Sequence, residues 1–224
     1  MKNFAITACS MLLLLLSMGG TIRSQSAAAQ PRPPVKCTEN SPERRGEEGC
    51  TILVSWPLAG AVTRPLYWHI DRFDSLEAAK KAAGPDGVAA EAHGSIWLMT
   101  VEPRTKDHHS GRHVAEIGPL TLPAADRYSM RVNSTFLKPG SITPVHTHSG
   151  PEVFYIVVGE QCLETENAGH HVAVGKTHVI PSDTIHRGRV TGPTPRGALT
   201  LVLHDAARPS SHDLTDPPQL NQCK

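Results

Sequence analysis

The chain has no long block of one charge sign. Lys and Arg number 22 against 21 Asp and Glu, and only short mixed runs such as Glu43-Arg44-Arg45 interrupt the balance. A surface for nucleic acid or another polyanion therefore has no electrostatic support. No close Cys-x-x-Cys spacing occurs, which argues against a thiolate metal site. Gly-x-Ser-x-Gly is missing, as are a credible Ser-His-Asp order and a phosphate-cradling glycine loop. No internal repeat emerges. No unbroken apolar run reaches the roughly 18 residues that a membrane helix prefers.

What the N-terminus does hold is a short apolar core, Leu12 to Leu16, after the basic Lys2 and before Ala27-Ala28-Ala29. This pattern predicts a secretory signal peptide over residues 1–29, cleaved before Gln30, and a periplasmic or secreted protein. The alternative is an uncleaved anchor, but Thr7, Ser10 and Ser17 interrupt the apolar stretch, so no stable membrane anchor is expected. Cys9 precedes the apolar run, which removes a lipid-anchor reading. Cleavage takes away Lys2 and Arg23 and no acid, leaving 20 bases against 21 acids, a net charge near −1.

Four cysteines then remain: Cys37, Cys50, Cys162 and Cys223. An even number behind a signal peptide fits two disulfides in an oxidising compartment. Three pairings are possible. The favoured one joins Cys37 to Cys50, stapling an N-terminal arm, and Cys162 to Cys223, tying down the tail.

Residues 30–50 are rich in Pro, Arg, Glu and Gly and read as a flexible arm. Residues 51–112 read as an extension with strands at 51–56, 66–70 and 95–101 and one short helix. Asp74 is the expected helix cap, with Glu77 as its capping-box partner and Gly84-Pro85 as the stop. Thr105 to His113 reads as a polar loop. From 113 to 205 short strands follow closely, near 113–118, 127–137, 142–147, 152–158, 160–165, 171–174, 177–181, 184–190 and 198–204. Turn sequences separate them, which argues a sandwich or barrel into which the N-terminal strands also merge. Residues 206–224 are polar, contain three prolines and read as a surface tail.

Within the strand-rich part, Gly140 is followed after five residues by His146-Thr147-His148, then by Glu152 and Gly159. A second segment runs Gly175, Pro181-Ser182-Asp183, His186. In a strand, alternate side chains share a face, so His146 and His148 point the same way. Glu152 opens the next strand, and His186 comes from a distant hairpin. Three imidazoles and a carboxylate suit one divalent transition metal ion (Fe, Mn, Zn, Ni or Cu) and leave coordination positions open. Phe154, Ile156, Val179 and Ile180 are expected to wall the ion.

These two segments resemble the paired motifs of the cupin superfamily. The first matches that family at every specified position. The second matches at Gly175, Pro181 and His186, while Asp183 stands for a glycine and Val190 for an asparagine. Asp can take the left-handed conformation at modest cost, so the turn is expected to persist. The resemblance covers about residues 113–205. It implies a mainly β protein, a cupin-type jelly-roll barrel carrying the N-terminal extension. It also implies His146, His148, Glu152 and His186 as metal ligands, a small-molecule ligand or substrate, and a possible homodimer.

Other histidines are weaker candidates. His108, His109 and His113 sit in or beside the polar loop, His170 and His171 follow a turn, and His178 is placed either on the pocket or off it. Tyr128 and Arg131 are candidates for ligand contact or for a solvated face, whereas Met130 and Phe136 read as core. Two functional classes stay open. One is a metal-dependent oxidoreductase, dioxygenase-like, whose Glu ligand could accept a proton. The other is a non-catalytic periplasmic cupin that binds a metal or small ligand. Fold and ligand set host many chemistries, so neither selects the reaction.

Overall fold

The computed structural model describes residues 34–39, 47–85, 87–104 and 111–223. The signal-like segment, most of the arm, and the loop bearing His108 and His109 lie outside the described residues. In chain order the elements are β1 (Cys37–Glu39), β2 (Gly49–Pro57), β3 (Leu66–Phe73), α1 (Leu76–Ala82), β4 (Gly87–Ala92), β5 (Ser95–Pro103), β6 (Arg112–Ile117) and β7 (Tyr128–Leu137). They continue with β8 (His146–Thr147), β9 (Glu152–Val158), β10 (Glu160–Thr165), β11 (Gly169–Ala173), β12 (Thr177–Ile180), β13 (His186–Arg189), β14 (Arg196–Asp205) and β15 (His212–Asp213). The protein is mainly β, as the sequence pattern predicts.

The strands form three sheets. A central sheet runs β1-β2-β7-β14-β9-β12. A second runs β11-β10-β13-β8-β15. These two enclose a small apolar cluster that includes Phe154, Ile156 and Ala198 from the first and Leu163 and Val172 from the second. The third sheet, β4-β5-β3-β6, lies against the other face of the central sheet. There Trp68, Ile70, Trp97 and Met99 pack with Met130, Val132, Leu199 and Leu201. The central sheet is thus covered on both sides, and nine of the ten residues of β14 are buried.

Alternation sorts its residues between the two faces. On β7, Met130 and Val132 join the large core, whereas Arg131, Asn133 and Thr135 face the cavity between the first two sheets. On β9, Val153 faces the core, and Glu152 and Phe154 face the cavity.

Several expectations need correction. β2 joins the central sheet, but β3 to β6 form a sheet of their own, because Trp68, Ile70, Trp97 and Met99 give them an apolar face to bury. The arm contributes β1, paired in parallel with β2, and β2 starts at Gly49. β4 was not expected; its Gly-Val-Ala-Ala-Glu-Ala sequence has weak strand propensity and is held by pairing with β5. Helix α1 is capped by Ser75, whose hydroxyl accepts from the Ala78 N–H at 3.1 Å, so Asp74 is not the cap. The strand expected over 142–147 is regular only at 146–147, with Ile142 in an isolated bridge to Arg189. Phe136 is only half-buried.

The tail is tied down. Cys223 bonds Cys162, Cys37 bonds Cys50, and Leu220 is buried. In the chain-entropy picture, loops of 13 and 61 residues contribute about 3 and about 4 kcal/mol by restricting the unfolded chain. Among the described residues no helix is long and apolar enough to cross a membrane.

Candidate metal centre

The strand pairing brings the four sequence candidates together. β8 lies between β13 and β15, with His146 directly opposite His186 on one side and Asp213 on the other. Glu152 opens β9 in the facing sheet. One ligand atom from each of His146, His148, Glu152 and His186 falls within 4.8 Å of the others. His148, Glu152 and His186 are buried, and His146 is half-buried.

Their hydrogen bonds define what these groups can do. The Nδ1–H of His146 donates to Pro144 O at 2.8 Å, that of His148 to Ser210 O at 2.7 Å, and that of His186 to Thr184 O at 2.8 Å. A carbonyl only accepts, so each Nδ1 carries the proton and each neutral ring keeps its lone pair on Nε2. Those Nε2 atoms converge. His146 Nε2 lies 3.0 Å from His148 Nε2, while Glu152 Oε2 lies 2.9 Å from His186 Nε2 and 3.3 Å from His148 Nε2. Three lone pairs and a carboxylate aimed at one point repel one another unless a proton or a cation lies between them. The donor set fits a divalent transition metal ion, and the backbone carbonyls are the outer partners that orient metal-binding imidazoles.

Electrostatics without an ion follow from burial and proximity. Burial, reinforced by the charges of His186 and His148, pushes His146 down to about 4. For His148 burial acts downward too, but the Glu152 carboxylate outweighs it and the net shift is upward. Burial would raise Glu152, yet His148 and His186 hold it well below the ordinary carboxylate range.

A cavity of about 390 Å³ adjoins the cluster and is lined by all four of these residues. The arm (Val35 to Cys37) and the tail (Ser211 to Asp213) border it, and Lys36 Nζ meets Asp213 Oδ2 at 2.5 Å between them. Of the four apolar residues expected as a wall, Phe154 lines the cavity; Val179 packs instead into the core on the far face. Arg131 lines the cavity, whereas Tyr128 turns away to donate to Pro123 O. His178 stacks on His170, and His113 faces Asp71, so neither reaches the cavity.

The sequence reading missed Asn133, Thr135, Thr200 and Arg196 on the cavity wall. Polar residues at every second position of β7, and Thr200 inside an apolar run, were the available signal. Asp183 has φ 57°, the left-handed conformation expected where the family motif has glycine. It also meets Arg208 Nη2 at 2.7 Å, which holds the tail near the site.

A flattened β-barrel with three imidazoles and a carboxylate on facing strands is the architecture this site defines. Residues 134–202 match the family model described as Cupin domain, so this part of the chain carries a cupin domain. No curated protein matches the chain. Among solved structures, the TT1209 protein of Thermus thermophilus is 25% identical over 34% of this chain and 72% of its own, with a TM-score of 0.32. A cupin-like protein of Thermotoga maritima is 13% identical over 42% of this chain and 84% of its own, with a TM-score of 0.35. Salicylate 1,2-dioxygenase from Pseudoaminobacter salicylatoxidans is 20% identical over 33% of this chain and 22% of its own, with a TM-score of 0.31.

Proposed function

We propose that this protein is an exported metal-dependent cupin that binds one divalent transition metal ion through His146, His148, Glu152 and His186. It acts as a dioxygenase-like oxidoreductase on a small molecule held in the adjoining cavity. The observation that carries the metal reading is the clustering of three Nε2 lone pairs and the Glu152 carboxylate within 4.8 Å of one another, each lone pair fixed by an Nδ1–H donated to a backbone carbonyl. Such an ion supplies Lewis-acid stabilisation of developing negative charge and, for a redox-active metal, electron transfer. The chain contributes orientation, through carbonyls that hold the rings, and exclusion of water, through Phe154 and the buried strands around it. A cavity that opens on the ligand atoms favours turnover over a closed structural ion. Export is supported by the signal-like N-terminus together with two disulfides.

The test uses protein recovered from the periplasmic fraction. Intact mass should place the N-terminus near Gln30, and elemental analysis should find about one metal per chain. His148→Ala should stay folded and lose that equivalent, because the barrel is held by apolar burial rather than by the ion. Metal should leave as pH falls, since protonated imidazole cannot bind it. A His148→Ala protein that keeps a full equivalent overturns the ligand assignment, and an intact mass including Met1 to Ala29 overturns export.

A further inference from the structure

Arg196 opens β14, lines the same cavity and is only 2% exposed. Its Nη1 donates to the Thr135 hydroxyl, a neutral acceptor, and its Nε has no hydrogen-bond partner. Among the described residues it has no acidic partner. Two acids line the cavity, and both are engaged: Glu152 by His148 and His186, and Asp213 by Lys36. Burial pushes the guanidinium down to about 10, with Glu152 opposing, so it remains charged at neutral pH. A buried charge without a counter-charge is costly, and proteins retain one where a ligand completes it.

The placement gives the cavity two poles. Val202 pairs with Glu152, and Arg196 lies six residues back along the same strand, on the same face as Thr200. Between the poles the wall is mixed, with Leu137 and Phe154 apolar and Asn133, Thr135 and Thr200 polar. Its volume is at the small end of the roughly 300–1,000 Å³ typical of ligand sites. A guanidinium presents a planar fork that matches a carboxylate.

We infer that the cavity takes a small carboxylate with an apolar body, whose carboxylate pairs with Arg196 while its other end faces the His146, His148, Glu152 and His186 cluster. The substrate class rests on the function proposed above, but the carboxylate contact does not need the metal.

The experiment follows thermal stability and calorimetric binding of the full mature chain, both metal-loaded and chelator-stripped. The probes are benzoate, acetate, benzamide and inorganic phosphate. Benzoate should raise the melting temperature of the wild type in both forms, and more than acetate, with benzamide giving no shift. Arg196→Met should fold with undiminished stability in the absence of ligand, keep the metal content of the wild type, and bind benzoate at least roughly tenfold more weakly. The inference is overturned if benzamide matches benzoate, if no carboxylate shifts the wild type, or if phosphate is preferred. It is equally overturned if Arg196→Met binds benzoate within about twofold of the wild type. The wild type alone tests carboxylate against amide should the variant not fold. Stripped protein separates the two readings. A wild type that never holds metal but captures benzoate through Arg196 removes the metal reading alone; one that holds metal and ignores benzoate removes this one.

Discussion

Gly150 lies between the proposed ligands His148 and Glu152, in the turn that presses against β14. A Cβ there would stand 2.0 Å from Leu203 O and 2.6 Å from His204 Cα. Both are backbone atoms of a strand covered on both faces, so they cannot move aside cheaply. Gly150→Ala should therefore cost roughly 1–3 kcal/mol or more and lift the turn, displacing both neighbouring ligands. Urea unfolding and metal affinity measured together check this: a substitution neutral in both would show that the turn has slack. Gly159 is bound in a similar way, with φ 67° and Pro195 O at 2.3 Å from a would-be Cβ.

Glu164 works at the same scale. It is fully buried, accepts from Arg187 Nε at 2.5 Å and from the Cys223 N–H at 2.9 Å, and so holds the tail against β10. Burial alone would raise its pKa; the Arg187 hydrogen bond, the Cys223 N–H and the charges of Arg187 and Arg189 outweigh this and depress it. A depressed carboxylate contributes stability that is present above its unfolded pKa, about 4, and that is lost as pH falls through the lower folded value. The melting temperature of the wild type should drop over that acid range, and the Glu164→Gln protein should lose this part of the slope. Breaking the buried pair should also cost about 3 kcal/mol at neutral pH. An unchanged acid slope in the variant would assign it to other groups.

Among the elements, β14 bears most of the architecture. It pairs with β7 along its whole length and with β9 on its other edge. Its odd-numbered leucines, Leu199, Leu201 and Leu203, face the large core, while Thr200 faces the cavity and accepts a hydrogen bond from Asn133 at 3.1 Å. Leu201→Ala should cost about 3 kcal/mol by leaving a void in the core it shares with its cross-strand partners Val132 and Val153. Because its side chain lies on the face away from the proposed ligands, the one metal per chain proposed above should persist. Chemical denaturation with elemental analysis reads both quantities, and metal loss in a folded Leu201→Ala protein would show that the two faces are coupled.

At the level of the whole molecule, the four residues of the candidate site were legible in the sequence and their setting was not. The spacings of His146, His148, Glu152 and His186, the turn glycines, and the alternation of β7 are local properties. Period-two patterning and the demand for a left-handed residue, met here by Asp183, act within a few residues of chain. Strands 152–158 and 160–165 are therefore found where the alternation and flanking turns put them. The carbonyl that orients His148 belongs to Ser210, 62 residues away, and Arg196 enters the cavity only because β14 inserts between β7 and β9. The separate sheet β4-β5-β3-β6 likewise depends on which apolar faces meet. Local sequence determined residue types, turns and strand faces because steric preference is set by neighbours in the chain. Pairing order, the fixed tautomers and the unpaired guanidinium were decided by the tertiary structure alone, because each depends on contacts between segments far apart in the chain.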